Sequence, residues 1–556
     1  MNRTLSILCV LCFALTQPAL PAPGSRGESD ERYLLLATSR AGTLEAELNG
    51  AGADGYRVLA AWAGGVRGEF VAMLEKDEAG VPREFKVLEE VLQGALDEAA
   101  AQGFRVVPGG LLRNRGTLIL ERIPGQIDPR EYRLFESVAA HEWDDRNDLY
   151  RRNLGDLEDE LARLPADGYR LVGMMGLDMG RNQVHHILIE EKLPESGSPP
   201  DDGLCGTGPY RVLSARPGAD LQQQLNQAGA DGFRLRFGWM VLLPMPQLTL
   251  IMEADSEATG PYQYLMLGTG VCCLSGQLES AGHRGYRPHP QGLFGLPDIV
   301  LLERAPANRT AYEFRWAITT GTSNLQSDVI ALAAEGFDLV AANDWEEVVY
   351  QGENRWTRNS SIHRGVLQRA YEPDVIAAGS GGIAGSGENL TLSIPAGDKK
   401  DKIEDGLNEA ADGGYCLVNI AAFHDSNSYA GELALTLERR GDSRECEYKV
   451  LATKRIASME NDLNKAAADG FRLVRGSWFD KPAFMGTREN AVVMEKTPES
   501  IAHPVEYRLL ATQRVSTLLE EIEEAKREGY ELLARTRVGE NIAYMERPVG
   551  GQDGGK

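Results

Sequence analysis

The residues with the clearest chemical potential are glutamates that recur near the end of similar segments. Each of these glutamates precedes a lysine or an arginine: Glu75, Glu121, Glu191, Glu303, Glu438, Glu495 and Glu546. Two carboxylates facing one pocket can act as acid and base in glycoside hydrolysis. A carboxylate repeated once per segment instead indicates a structural role, such as pairing with a neighbour's base or protecting an edge strand.

Other catalytic and metal-binding patterns are weak. The chain has no Gly-x-Ser-x-Gly elbow, and residues 379–387 lack the lysine-serine ending of a phosphate loop. His185 and His186 are adjacent in a predicted strand, which points them to opposite faces. Adjacent cysteines 272 and 273 with two distant histidines do not match zinc spacing. We therefore predict no catalytic residues, no metal and no cofactor.

Aromatic and acidic residues in irregular segments are the remaining candidates for a ligand surface. Tryptophans after predicted second strands can stack on a sugar or fill the space between packed segments. Two acidic residues lie beside one of them and would supply the acid character of an enzyme site. The candidates are Trp239, Trp345, Glu346, Glu347, Trp356 and Trp478.

A glycine followed by an aromatic residue occurs nine times and organises the segments that carry these residues. The pairs begin at Gly55, Gly103, Gly168, Gly232, Gly285, Gly336, Gly414, Gly470 and Gly529. Apolar residues stand eleven, seven and four positions before every one of these glycines, which predicts one buried helical stripe. The glycine then predicts a left-handed helix end, with the aromatic residue packed back on the helix.

Each predicted helix is preceded by one apolar run and followed by two, so the repeated unit is β-α-β-β. The clearest copy reads YKVLATKR, then SMENDLNKAAADGFRLV, then AVVMEK. This pattern resembles the small bacterial β-α-β-β domain DUF4177, a family of unknown function, in nine divergent copies. The resemblance implies a fold and no activity. The predicted class is α+β, with nine units that each hold a small sheet and one amphipathic helix.

Two breaker-rich linkers, residues 193–209 and 371–387, divide the nine units into three groups of three. A unit of about fifty residues cannot bury enough surface alone, so neighbours must cover one another. We predict three modules, with a continuous array as the alternative. Their units span 30–77, 83–124 and 130–192; 210–255, 261–305 and 311–370; and 388–441, 446–497 and 505–548, before a disordered tail at 549–556.

The amino terminus predicts export. Residues 1–22 combine an early arginine, a short apolar run and small residues, as in a secretory signal peptide. No later run is long enough to span a bilayer. We therefore expect a periplasmic or extracellular protein without membrane insertion. Of the five later cysteines, Cys416 with Cys446 is one possible disulfide, and Cys205 with Cys272 or Cys273 is another.

The composition indicates which classes of partner the chain can bind. A 42% hydrophobic content over 556 residues is enough for several cores, and a net charge of −24 disfavours nucleic acid. Repetition without one asymmetric constellation favours a non-catalytic binding or structural scaffold with a protein or glycan ligand. The alternative is an extracytoplasmic hydrolase or carbohydrate-active enzyme with a site between units four to six.

Overall fold

The computed structural model describes residues 32–64, 69–112, 116–126, 130–144, 149–152, 155–180, 183–193, 208–241, 247–255, 260–268, 274–294, 299–306, 308, 310–319, 322–350, 356–371, 388–395, 398–423, 432–440, 446–482, 488–538 and 540–549. The predicted signal peptide 1–22, most of both linkers and Cys205, Cys272 and Cys273 lie outside these ranges.

The predicted α+β class is confirmed. The described residues combine helices with strands, and the strands form many small antiparallel sheets. None of the helices in the described ranges is long and apolar enough to cross a membrane.

The described strands form nine sheets, which we number one to nine in chain order. The strands of sheets one to three are β1 (Tyr33–Thr38), β2 (Tyr56–Gly64), β3 (Glu69–Lys76), β4 (Glu84–Leu88), β5 (Arg105–Leu112), β6 (Thr117–Arg122), β7 (Tyr132–Asp144), β8 (Leu149–Arg152), β9 (Tyr169–Gly180) and β10 (Gln183–Lys192). Those of sheets four to six are β11 (Tyr210–Ala215), β12 (Phe233–Val241), β13 (Gln247–Ala254), β14 (Gln263–Gly268), β15 (Arg287–Phe294), β16 (Ile299–Arg304), β17 (Ala311–Thr319), β18 (Asp338–Tyr350) and β19 (Trp356–Tyr371). Those of sheets seven to nine are β20 (Asn389–Pro395), β21 (Tyr415–Phe423), β22 (Glu432–Arg439), β23 (Glu447–Thr453), β24 (Arg472–Leu473), β25 (Phe479–Pro482), β26 (Arg488–Lys496), β27 (Val505–Thr512), β28 (Glu531–Val538) and β29 (Glu540–Pro548).

The sheets share one strand order, in which the last strand of the sheet lies between the first and the second, as in β1-β3-β2. Sheet three adds β8 beside β7, and in sheet eight β24 and β25 both pair with β26. The central strands are buried on both faces; five consecutive residues of β3, Phe70 to Leu74, are all buried. A strand buried on both faces needs a covering layer on each side.

One helix follows the first strand of each sheet, after the β7–β8 hairpin in sheet three. The helices are α1 (Ala41–Ala53), α2 (Gln93–Ala101), α3 (Gly155–Arg163), α4 (Ala219–Ala230), α5 (Leu274–His283), α6 (Thr322–Ala334), α7 (Lys400–Asp412), α8 (Ile456–Ala468), the short connecting helix α9 (Pro498–Ala502) and α10 (Val515–Arg527). The predicted apolar stripe is buried in α8, where Met459, Leu463 and Ala466 are at most 1% exposed. Leu92 is an exception, because α2 begins only at Gln93 and leaves Leu92 56% exposed.

The predicted helix ends are confirmed. All nine glycines of the Gly-aromatic pairs have a positive φ, with +89° at Gly470. The N–H of Phe471 donates to the carbonyl of Ala466 at 3.1 Å, and that of Gly470 donates to Ala467 at 2.9 Å. These two bonds define a Schellman cap, in which the aromatic residue packs back on the last helical turn.

Helices α1 to α5, α7 and α8 each pack between their own sheet and the next sheet along the chain. In one such core, Met459 of α8 meets Met494 of sheet eight on one side and Tyr507 and Ile542 of sheet nine on the other. We call the contact between a helix and the first strand of the next sheet a joint. Joints link α1 to β4, α2 to β7, α3 to β11, α4 to β14, α5 to β17, α7 to β23 and α8 to β27.

A further joint closes sheets one to six into a ring. Helix α6 packs against β1, and β18 contacts β2. Tyr33 and Trp62 of sheet one share a core with Val329 and Phe337 of sheet six. Sheets seven to nine form a three-sheet stack against this ring, where β20 contacts α4 while β21 and β28 contact α5.

These contacts bear on how the chain is grouped. The joint of α3 with β11 crosses the linker at 193–209, and the joint of α6 with β1 connects the first predicted module to the second. The three-module grouping stays a prediction, since contacts within one chain do not measure which segments fold alone.

Candidate functional site

Four of the recurring glutamates lie in joints and accept a hydrogen bond from a tyrosine hydroxyl: Glu191, Glu303, Glu495 and Glu546. Glu546 is 3% exposed, and it accepts a hydrogen bond from the hydroxyl of Tyr507 at 3.0 Å. The same hydroxyl accepts the backbone N–H of Leu473, in the preceding sheet, at 2.7 Å. Burial, followed by the charge of Glu546, raises the pKa of Tyr507 well above its usual value, so the hydroxyl keeps the proton that it donates.

The same tyrosine arrangement recurs at other joints. A backbone N–H of the preceding sheet donates to the tyrosine hydroxyl in six joints: Leu339 to Tyr33, Val106 to Tyr132, Leu171 to Tyr210, Leu235 to Tyr264, Leu417 to Tyr448 and Leu473 to Tyr507. In two joints an arginine of the preceding sheet also binds the glutamate, as in Arg234 with Glu303 and Arg472 with Glu546. In these two joints the glutamate pairs with a base of the neighbouring sheet, and a structural role for the recurring glutamates stays a prediction.

In the joints formed by α1, α2, α4, α7 and α8, helix side chains hydrogen bond to the edge of the next strand. Asn464 of α8 donates to the carbonyl of Tyr507 at 2.8 Å and accepts its N–H at 2.7 Å, while Glu460 accepts the N–H of Leu509. In α4 a single side chain, Gln222, binds both Tyr264 and Met266. These groups occupy an edge that could otherwise pair with another chain.

Two of the predicted ligand-surface residues are buried in such joints. Trp239 is 3% exposed and meets the ring of His186 edge-on, with centroids 5.0 Å apart. Trp478 is 2% exposed and stacks on Tyr544 at 5.8 Å. A buried indole cannot present a surface to a ligand, so the prediction for Trp239 and Trp478 is wrong, and packing explains both.

The other four candidates lie together on one hairpin. Trp345, Glu346 and Glu347 are in β18, opposite Ile362, Ser361 and Ser360 of β19, and Trp356 is opposite Tyr350. These are the long strands of sheet six, with 13 and 16 residues against 9 and 8 in the equivalent hairpin of sheet one. Their role at a ligand surface stays a prediction.

Helix α5 is a polar junction that the sequence did not reveal. The side chain of Gln277 donates to the carbonyl of Ile420 at 2.6 Å, and that of Arg284 donates to Leu417 at 3.2 Å, both in sheet seven. Burial lowers the pKa of His283 to about 4 and that of Arg284 to about 10. The hydrogen bonds of Gln277 and Arg284 therefore hold the three-sheet stack to the ring.

The cysteine pair 416 and 446 forms a disulfide that links sheet seven to the start of sheet eight. Among the described residues, these cysteines and Glu495 are the one group of three potential metal ligands within 4.8 Å of one another. Both sulfurs are consumed by the disulfide, so this state has no thiolate for a metal. His185 contacts Glu136 while His186 is buried, so the pair faces opposite ways as predicted.

Sheet three contains a buried acidic cluster that the sequence analysis did not find. Glu190 of β10 is 0% exposed and bonds Arg133 of β7, which also binds Glu160 of α3 at 2.8 Å. Burial, chiefly, raises the pKa of Glu190 to about 7, and the nearby carboxylate of Glu160 adds to the rise. Comparing the segments would have revealed this position, because the other eight have leucine or methionine there, before a recurring glutamate or before Glu253 in sheet four and Gln368 in sheet six.

An open depression near the start of α1 is lined by Ser39, Arg40, Thr43, Phe70 and Glu89. Its one carboxylate does not provide the pair of acids that glycoside hydrolysis requires.

No protein-family model matches the chain, and no curated protein matches it significantly.

Proposed function

We propose that the nine sheets and their helices are divergent copies of one β-α-β-β repeat resembling DUF4177, and that the chain is a non-catalytic exported scaffold. One observation carries this proposal: the polar residues that recur from copy to copy are engaged in the joints. Tyr507, Glu546 and Asn464 at one joint have counterparts in Tyr448, Glu495 and Asn408 at another. The repeated polar residues therefore serve to hold neighbouring sheets together.

Two features support export to an oxidising compartment. Residues 1–22 have the layout of a signal peptide, and Cys416 is bonded to Cys446. Disulfides persist mainly in secreted and periplasmic proteins. The described contacts close sheets one to six into a ring but do not close the three-sheet stack that carries this disulfide. A covalent link between two sheets of the stack therefore adds stability to the part of the chain that is not closed.

The long hairpin of β18 and β19 is the proposed ligand surface. It differs from its counterparts in length, and it brings two tryptophans and two glutamates onto one element. Aromatic rings bury apolar area while their N–H groups stay available for hydrogen bonds, which suits sugar binding. A glycan is accordingly the proposed ligand class.

The test uses the full mature chain with insoluble peptidoglycan, chitin and cellulose. We expect the chain to be retained on at least one of them and to release no reducing ends. Replacing Trp345 and Trp356 by alanine should weaken retention at least tenfold, while Val138→Ala, on the long strand β7, should not. Release of reducing ends would contradict a non-catalytic role, and equal retention of the double variant would exclude the hairpin.

A further inference from the structure

The third sheet breaks a rule that the other eight obey. The residue just before the recurring glutamate, or before Glu253 in sheet four and Gln368 in sheet six, faces the helix and is fully buried in every sheet. Eight of these residues are apolar and 0% exposed: Leu74, Leu120, Met252, Leu302, Leu367, Leu437, Met494 and Met545. The ninth is Glu190, which is equally buried. A carboxyl group at a core position costs stability unless it is paired or protonated.

The surroundings of Glu190 hold more negative charge than positive. Arg133, directly opposite on β7, bonds Glu190 and Glu160 and lies 3.5 Å from Asp167 at the end of α3. One guanidinium thus faces three carboxyl groups. Arg163 of α3 approaches only Glu160, at 3.8 Å. On β9, Arg170 is bonded to Glu191 on the opposite face of the sheet.

The carboxyl groups of Glu190 and Glu160 lie within hydrogen-bonding range of each other. Two carboxylates can form that bond only if one carries a proton. Among the described residues, Oε1 of Glu190 receives no hydrogen bond from a donor. The arrangement is therefore satisfied when Glu190 is protonated, and it leaves the buried Oε1 without a donor when Glu190 is ionised.

We propose that the contact between helix α3 and sheet three is a proton-controlled seam, closed in mildly acidic surroundings and loosened at neutral pH. Helix α3 also forms the joint with β11, so loosening this seam weakens the ring between sheets three and four. The apolar core that would be uncovered contains Leu157, Leu161 and Leu188 together with Trp239.

The sign of the pH dependence follows from the linkage between protonation of Glu190 and closure of the seam. The pKa of Glu190 is about 7 in the folded chain, against 4.5 for an unburied glutamate. The closed state then holds a proton that the open state releases, so stability is greatest below pH 4.5 and is lost as the pH rises to 7. Within this window the equilibrium constant for opening rises by up to about tenfold per pH unit.

Hydrogen exchange of the full chain at pH 5.0 and pH 7.5, corrected for the intrinsic rate, tests the proposal. Helix α8 is the internal reference, since its sheet has Met494 at the equivalent place. We expect opening of α3 relative to α8 to increase at least tenfold at the higher pH. The increase should vanish in Glu190→Leu and persist in Glu131→Gln, which alters an exposed ion pair with Lys192.

Two results would overturn the proposal: equal protection of α3 at both pH values in the parent chain, or an undiminished pH effect in Glu190→Leu. Glu190→Gln keeps the shape of the side chain without the titrating group, so it provides the same test if the leucine variant folds poorly. Like the leucine variant, it should remove the pH dependence.

Discussion

The hydroxyl of Tyr507 lies 3.0 Å from the carboxylate of Glu546, and both groups are buried between sheets eight and nine. The tyrosine oxygen also receives the N–H of Leu473 from the preceding sheet. A residue pair that could serve as acid and base in a pocket is thus used to join two layers of the fold. Tyr448 and Glu495 form the same bond, at 2.7 Å, in the joint of α7 with β23.

Removing the hydroxyl should weaken its joint. We expect Tyr507→Phe to lower the free energy of unfolding by about 1–3 kcal/mol, because Leu473 and Glu546 each lose a buried hydrogen-bond partner. Urea denaturation measures the change. Tyr530→Phe is the control, since its hydroxyl binds Glu506 at a partly exposed site and should cost less than about 0.5 kcal/mol. Equal losses in the two variants would contradict the special role of the joint.

Close approach of helix α1 to the segment just before β4 explains why one position of this helix is glycine. A Cβ at Gly52 of α1 would lie 2.4 Å from the carbonyl oxygen of Arg83 in the next segment, whereas one at Gly50 would meet nothing within 4 Å. We expect Gly52→Ala to destabilise the chain by about 1–3 kcal/mol. Gly50→Ala on the same helix should stabilise it by about 0.5–1 kcal/mol. Thermal melts of both variants would refute this explanation if the two shifts had the same sign.

The cap at the end of α8 predicts a strong preference for glycine. Gly470 has a φ of +89°, where a β-branched side chain is strained, and a Cβ would also crowd Ile501 at 3.1 Å. Gly470→Val should cost more than about 1 kcal/mol. Gly470→Asn should cost less, because asparagine tolerates the left-handed region better. A valine variant as stable as the parent would contradict the cap assignment.

Buried His289 predicts a loss of stability in acid. Burial lowers its pKa from 6.5 to about 4, so the unfolded chain binds a proton that the folded chain excludes between these values. The contribution of His289 to the free energy of unfolding should be complete above pH 6.5 and fall by up to roughly 3 kcal/mol as the pH drops to 4, opposite in sign to the contribution of Glu190. Urea midpoints at pH 7.5 and 4.5 measure the fall. His289→Gln should reduce it, and an unchanged pH dependence would exclude this histidine as its source.

Local features of the fold could be predicted from the sequence, whereas partners distant in the chain could not. The cap at Gly470 and the buried stripe of α8 depend on residues within one helical turn or two, so their spacing is diagnostic. Ring closure depends on which sheet packs against α6. Tyr33 at that joint is the same residue type as Tyr132 and Tyr507 at others, so its identity does not specify its partner.

The burial of two candidate tryptophans could not be predicted for a related reason. Tryptophan fills a joint as readily as it binds a ligand, and sequence does not show how closely the next sheet approaches Trp239 or Trp478. The unusual position of Glu190 could have been found from the sequence, since aligning it with Leu74 and Leu437 shows a charged residue where the others are apolar. Its significance emerges only once burial and the position of Arg133 are known.

Fragment association tests the central claim, that sheets one to six close into a ring, most directly. Fragments 30–192 and 210–370 each hold three of these sheets, and two joints would unite them, α3 with β11 and α6 with β1. We predict that the mixed fragments form a 1:1 complex by size-exclusion chromatography with light scattering, weakened when Tyr33 and Tyr210 are both replaced by phenylalanine. Two stable fragments that remain separate monomers when mixed would contradict the ring.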